Sequence, residues 1–328
     1  MNEQLFKEYC VKRGLDSKAT TEAVEYVRDF ENYLKPFGKS FDSISVADAQ
    51  KYVAGLIRQD LNTRERFLAL ARYSYLMQKD EVYIYFSAIF GTGQILTNMA
   101  KRLKQFAGPD AERKVFGDLE VPPVGSSPEA FPETTKCLMQ RLESSLAPAV
   151  CRQVLAGNMH EVPADGFSEE KELFRRSAGI DEFLAALHAR SISVLEKHFA
   201  EGKLWYEQRI TKRVIEFVKG NREILSGVRQ GDRIFITKIP YAPDDYLRET
   251  DPRLKRYHAC HCPFVRSAIK AGTPAISPTW CYCSGGYEKF LFDVVFEEPV
   301  EVEVLETPLA GDSRCRFALK IPEGNRFF

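Results

Sequence analysis

The stretch "PVEVEVLETPLAGDSRCRFALKIP", residues 299–322, alternates apolar and charged side chains on both sides of a turn at Gly311-Asp312. A period of two puts alternate side chains on opposite faces of a strand, and Gly-Asp supplies turn chemistry, so two antiparallel strands are expected. Just upstream, "GGYEKFLFDVVF" (285–296) spaces Tyr287, Phe290, Leu291 and Val294 along one helical face, which predicts a helix. Further back, "DRIFITKIPYAPDDYL" (232–247) is a β-branched and aromatic run closed by a proline turn. The C-terminal region therefore reads as α+β, an antiparallel sheet with helices to one side.

The rest of the chain is helical in pattern. "TTEAVEYVRDFENYL" places Val24, Val27, Phe30 and Leu34 at helical spacing, and Pro36 and Gly38 end that helix. "SVADAQKYVAGLI" opens with a capping-box pattern, Ser45-x-x-Asp48. "TRERFLALARYSYLM" repeats the stripe through Phe67, Leu70, Ala71 and Met77. "FGTGQ" (90–94) lacks the strand context and the Lys-Ser/Thr ending of a phosphate loop, and a turn between helices is expected. Prolines 109, 122, 123, 128 and 132 then mark a connector, because proline neither continues a helix nor donates to a ladder. The expected organisation is a mostly α N-terminal module (1–107), a Pro-rich connector (108–135), a helical segment packing on the C-terminal domain (136–202), and a cysteine-rich α+β domain (203–328).

Composition narrows the function classes. The chain has 328 residues, 44% hydrophobic and 28% charged, with Lys+Arg and Asp+Glu equal at 46 each. That balance provides no global field for nucleic acid or an anionic membrane. No apolar run approaches the roughly 18 residues of a membrane span, and the first residues show no apolar signal region. A cytoplasmic chain without a membrane partner is expected, one that can form a homo-oligomer. In a reducing compartment, paired cysteines point to metal, redox or catalytic chemistry rather than structural disulfides.

The chain has eight cysteines and five histidines, and two of each fall within His258–Cys262 in "RYHACHCPFVRSAI". "TWCYCSGGY" then supplies Cys281 and Cys283, and Cys315 lies on the last expected strand. Zinc favours four soft ligands in a tetrahedron, so Cys260, Cys262, Cys281, Cys283 and Cys315 are the candidate metal ligands, with zinc the expected ion. Cys-x-Cys in an extended segment puts both side chains on one face, which permits chelation. From Arg248 to Lys270 six basic residues stand against Glu249 and Asp251, a net +4 (6 − 2). Such a field favours thiolate and draws an anionic ligand. Candidate ligand-binding residues are Lys238, Tyr241, Arg256, Arg266, Trp280, Tyr282 and Tyr287. If a cysteine acts as nucleophile, the candidates are Cys262 or Cys283, with His261 as base. Cys137, Cys151, His160, His188 and His198 have no partner at ligand spacing and read as packing or surface residues.

Resemblances sharpen these expectations. "FENYLKPFGKSFDSISVADAQKYVAGLI" followed by "TRERFLALARYSYLM" resembles the SAM-like core-binding domain of tyrosine recombinases, which implies DNA association for the first module. No Arg/His/Tyr catalytic set follows it. "KIPYAPDDYL", "RYHACHCPFVRSAI", "WCYCSGGYEKFLFDVVF" and "VEVLETPLAGDSRCRFALKIP" together resemble a widespread uncharacterised prokaryotic family, over about residues 110–328. The last 50 residues are also similar to the 4-vinyl reductase-type ligand-binding domain and to the L-2-amino-thiazoline-4-carboxylate hydrolase family. The first likeness implies a zinc ligand at Cys315. It also places a cysteine eight residues earlier, where this chain has Thr307, so Cys281 or Cys283 with Cys260 or Cys262 would replace the missing ligands. The resulting expectation is a small-molecule-binding protein with a zinc site beside a pocket for an anionic ligand. The alternatives are a hydrolase of a small heterocyclic or carboxylate substrate, using Cys or zinc-bound water, and a DNA-associated regulator.

Overall fold

The computed structural model describes residues 1–325. The chain divides into two compact units, residues 1–93 with 121–130, and residues 94–120 with 131–328.

The first unit is built on five helices: α1 (Glu3–Lys12), α2 (Ser17–Leu34), α3 (Val46–Arg58), α4 (Arg64–Leu76) and α5 (Asp80–Phe90). Polar side chains start them where the sequence places acceptors. Asp16 accepts from Ala19 N at 2.8 Å, and Ser45 and Asp48 close the expected capping box. The striped residues Val24, Val27, Phe30 and Leu34 are all buried, as are Phe67, Leu70 and Ala71. Phe30 is the hub of an aromatic core, stacked on Tyr52 at 4.6 Å and edge-on to Phe41 and Phe86 at 6.1 Å each. Gly125, at φ 94°, lets residues 121–130 return to this core, since a Cβ there would lie 2.7 Å from the Phe67 ring. "FGTGQ" is the junction between α5 and the next helix, α6 (Thr92–Phe116).

The structure divides the chain differently from the proline pattern. Helix α6 runs through residue 107 to Phe116, broken at Gly108 (φ 84°) ahead of Pro109. Proline is tolerated there because it restarts the helix, where its missing N–H has no partner to lose. The expected connector thus shrinks to residues 117–131, and most of it belongs to the first unit.

In the second unit α7 (Pro132–Ser145), α8 (Pro148–Leu155), α9 (Ser168–Arg176), α10 (Ile180–Ala200) and α11 (Lys212–Lys219) precede the sheet strands β1 (Val228–Gln230) and β2 (Arg233–Thr237). Short helices α12 (Pro243–Arg248), α13 (Pro252–Ala259) and α14 (Arg266–Ala271) follow, then α15 (Tyr282–Val295), β3 (Val302–Glu306) and β4 (Arg316–Lys320). The sheet is antiparallel throughout, in the order β1-β2-β4-β3. Both strands and the helix expected from residues 285–322 are present. Ile234 faces Leu319 and Ile236 faces Phe317 across β2 and β4. Ile234, Ile236 and Leu319 pack on Phe292, Val295 and Phe296 of α15 and on Phe183 and Leu184 of α10. Gly285 and Gly286 serve close approach: a Cβ on Gly286 would meet the Gly157 carbonyl oxygen at 2.5 Å, and one on Gly285 would crowd Val302 at 3.1 Å. The chain as a whole is mostly helical, with this small sheet near its C-terminus. Among the described residues no helix is long and apolar enough to cross a membrane.

A candidate thiol and ligand site in the second unit

Residues 238–242 leave β2 and hold the site together through the backbone. Lys238 N donates to Cys315 O (2.9 Å), Tyr241 N to Ala259 O (3.3 Å) and Ala242 N to His258 O (2.9 Å). His261 Nε2 lies 2.6 Å from Ile239 O, so that nitrogen carries the proton it donates. The loop after α13 and the start of β4 are thereby brought to the same segment.

Five sulfurs gather there, all free thiols. Cys260, Cys281, Cys283 and Cys315 are buried and Cys262 is half-buried. Burial pushes each thiol up, Cys283 to about 12. After burial, the next cause for Cys260, Cys281, Cys283 and Cys315 is a neighbouring sulfur of the same group. Cys262 differs. Its Sγ accepts from Trp280 Nε1 at 3.2 Å. Among the described residues no three His, Cys, Asp or Glu side chains already stand at metal-holding positions.

Lys238 is the second centre. Its ammonium is 2.9 Å from Glu288, 4.5 Å from the Tyr287 ring centroid and 3.5 Å from Ser284 Oγ, and its side chain is only 11% exposed. Burial opposes its charge, but Glu288 and Tyr287 outweigh that and hold it above its usual range. Lys238 faces a set of groups kept neutral. Burial and then Lys238 lower His160 to about 4 and put His261 well below its usual value. Burial raises Glu207, Tyr287 and Tyr241, the last to about 12.

The exposure of these groups shows their setting. Tyr206 and Tyr287 keep 63% and 41% of their surface and His160 is exposed, yet desolvation dominates the titration of all three. His160 meets Tyr287 edge-on at 5.1 Å, and Tyr241 meets His261 at 5.4 Å. Arg266 lies 4.1 Å from the centroids of both Tyr241 and Tyr257, with Nε donating to Tyr257 O at 3.0 Å. Lys238 also borders a recess of about 260 Å³ with Tyr246, Glu306 and Arg314.

The structure thus brings together Lys238, Tyr241, Arg266, Tyr287, His261 and the five cysteines. It turns three candidates elsewhere. Trp280 is a core residue, 1% exposed, that reaches the site as a donor to Cys262 rather than as an open wall. Tyr282 lies under Arg152, and Arg256 donates to Pro308 O at 3.4 Å. His160, read as a packing or surface residue, is exposed and meets Tyr287 edge-on, and Glu288 pairs with Lys238. No spacing links His160 or Glu207 to Lys238, so pattern alone had no means of finding them. Glu288, beside Tyr287 on the expected helix, was the one within reach. Cys151, His188 and His198 do pack, His188 near Ile224 O at 3.3 Å and His198 near Leu204 O at 2.8 Å.

All five clustered cysteines lie in one matched segment. Residues 246–325 are similar to a family of unknown function (DUF6144). The match also takes in Arg266, Tyr287 and Glu288, while His160, Glu207, Lys238 and Tyr241 lie outside it. It agrees with the resemblance to an uncharacterised family and names no activity. The likenesses to a recombinase domain, to the 4-vinyl reductase type and to the thiazoline hydrolases rest on the quoted residues alone. No curated protein and no solved structure matches the chain.

Proposed function

We propose that the second unit binds a small anionic molecule around Lys238 and Arg266, beside a thiol centre that holds zinc. The observation that carries this is the half-buried Lys238 ammonium, set 4.5 Å from the Tyr287 ring centroid, with Tyr287 meeting His160 and with His261 and Tyr241 on the segment that follows, all uncharged and able to hydrogen-bond. Arg266, held by two tyrosine rings and a carbonyl, keeps its remaining donors for a carboxylate or phosphate. A ligand walled by these tyrosines is of metabolite size.

The test is native mass spectrometry of the full chain for a co-purifying molecule, followed by thermal shift against carboxylates and phosphates. Binding should weaken at least about tenfold, roughly 1.4 kcal/mol, in Lys238→Met. A bare chain whose melting point no anion moves would overturn the proposal. A hydrolase with Cys262 as nucleophile is the alternative favoured by one observation, the Trp280 N–H donated to its sulfur at 3.2 Å. It requires turnover that Cys262→Ser abolishes while ligand binding survives.

A further inference from the structure

We infer a separate ligand site in the first unit: the groove between α2, α3 and the start of α4 binds a small phosphate monoester that carries a flat ring. It shares no residue with the Lys238 site or with the thiols, and it stands whether or not those bind anything.

The groove has a volume of about 540 Å³, which is the size of a small-molecule site. Asp29 and Tyr33 line it from α2, Lys51, Gly55 and Arg58 from α3, and Arg66 from α4. Lys51, Gly55 and Arg58 stand at i, i+4 and i+7, so they share one face of α3. Glycine weakens a helix interior, and the packing around Gly55 does not require one: a Cβ there would meet only Arg58 Nη2, at 3.9 Å. What the missing side chain does is leave the helix bare between two cations, and that bare face is the floor of the groove.

The donors around this floor are unspent. The Arg66 side chain is only 12% exposed. Its Nη1 donates to Asp29 Oδ2 at 2.9 Å and to Tyr52 Oη at 3.2 Å, and its guanidinium lies 4.5 Å from the Tyr26 ring centroid. Its Nε is buried with no acceptor among the described residues. A buried donor left open costs stability, so Arg66 is placed for an acceptor from outside the chain. Lys51 and Arg58 are exposed, and neither pairs with a carboxylate among the described residues. Three cations against Asp29 give the groove a net +2 (3 − 1). A phosphate monoester, at about −1.5 to −2, matches that charge, whereas a single carboxylate leaves half of it unanswered. Tyr33 supplies the ring surface. It borders the groove half-buried, held 5.1 Å from the Tyr52 ring and 5.4 Å from the Phe37 ring, and Tyr52 is in turn stacked on Phe30 at 4.6 Å. A ring fixed by its neighbours loses little freedom when a flat ligand packs on it.

The experiment is calorimetric titration of the full chain with phenyl phosphate and with adenosine monophosphate, two ring-bearing monoesters. At least one should bind the parent about tenfold more tightly than inorganic phosphate does. Gly55→Leu fills the floor with a better helix former, so it should weaken that binding at least about tenfold without lowering the melting temperature. The Lys51→Gln, Arg58→Gln double variant, with both changes on exposed positions, should weaken it similarly. Lys238→Met should leave it unchanged. No binding of either monoester by the folded parent overturns the inference, and so does equal affinity for inorganic phosphate, which would remove the ring from the recognition. Binding that survives in Gly55→Leu, or that is lost in Lys238→Met, places the probe elsewhere and overturns the site. Should Gly55→Leu fail to fold, the double variant decides, because its side chains carry no packing.

Discussion

The two units bury different chemistry. The first fills its interior with aromatic and aliphatic side chains around Phe30, Phe67 and Phe86. The second has an equally dry core beneath its sheet, but it also largely removes from water a lysine, a histidine and five thiols. Apolar burial stabilises a fold without further explanation. Desolvating ionisable groups costs free energy, and a cluster of them beside a concavity is where ligand chemistry is to be sought. The comparison therefore favours the second unit for the proposed function.

The largest test of this contrast lies in the first unit. Phe30→Ala removes the ring that Tyr52, Phe41 and Phe86 pack against and should destabilise by about 3–5 kcal/mol in urea unfolding. It should leave anion binding by the folded protein unchanged. Lost binding in the folded variant would mean that the division of labour between the units is wrong.

Next is Glu288→Gln. It leaves the Lys238 ammonium, 11% exposed, without its carboxylate, and should cost about 1.5–3 kcal/mol. Unchanged stability would show that water already solvates Lys238.

The smallest effect is the His160 titration. Its folded pKa of about 4 lies below the ordinary imidazole value of 6.5, so between those values the unfolded chain binds more protons. The His160 contribution to stability is present in full above pH 6.5 and is lost as pH falls from there towards about 4. A proton NMR titration of the imidazole, with His160→Gln to assign it, should show a midpoint near 4. A midpoint at the unperturbed value would place His160 on open surface.

Much of this could be read directly. The strands at 302–306 and 316–320 alternate in the sequence, and their intervening turn is marked by Gly311-Asp312. Ser45 and Asp48 announce a helix start with local chemistry. The five cysteines stand out because cysteine is scarce in the chain. The Pro-rich segment misled because proline forbids a helix interior but not a helix start, and α6 resumes after Gly108-Pro109.

Local pattern, then, determined the helices, the two C-terminal strands and the list of sulfurs, because capping, periodicity and turn chemistry act over a few residues. Tertiary structure alone decided which groups share a site. His160 and Glu207 reach Lys238 from distant parts of the chain, and Trp280 turns inward to a sulfur. These depend on how helices and sheet pack and on what that packing withdraws from water, which no spacing along the chain records.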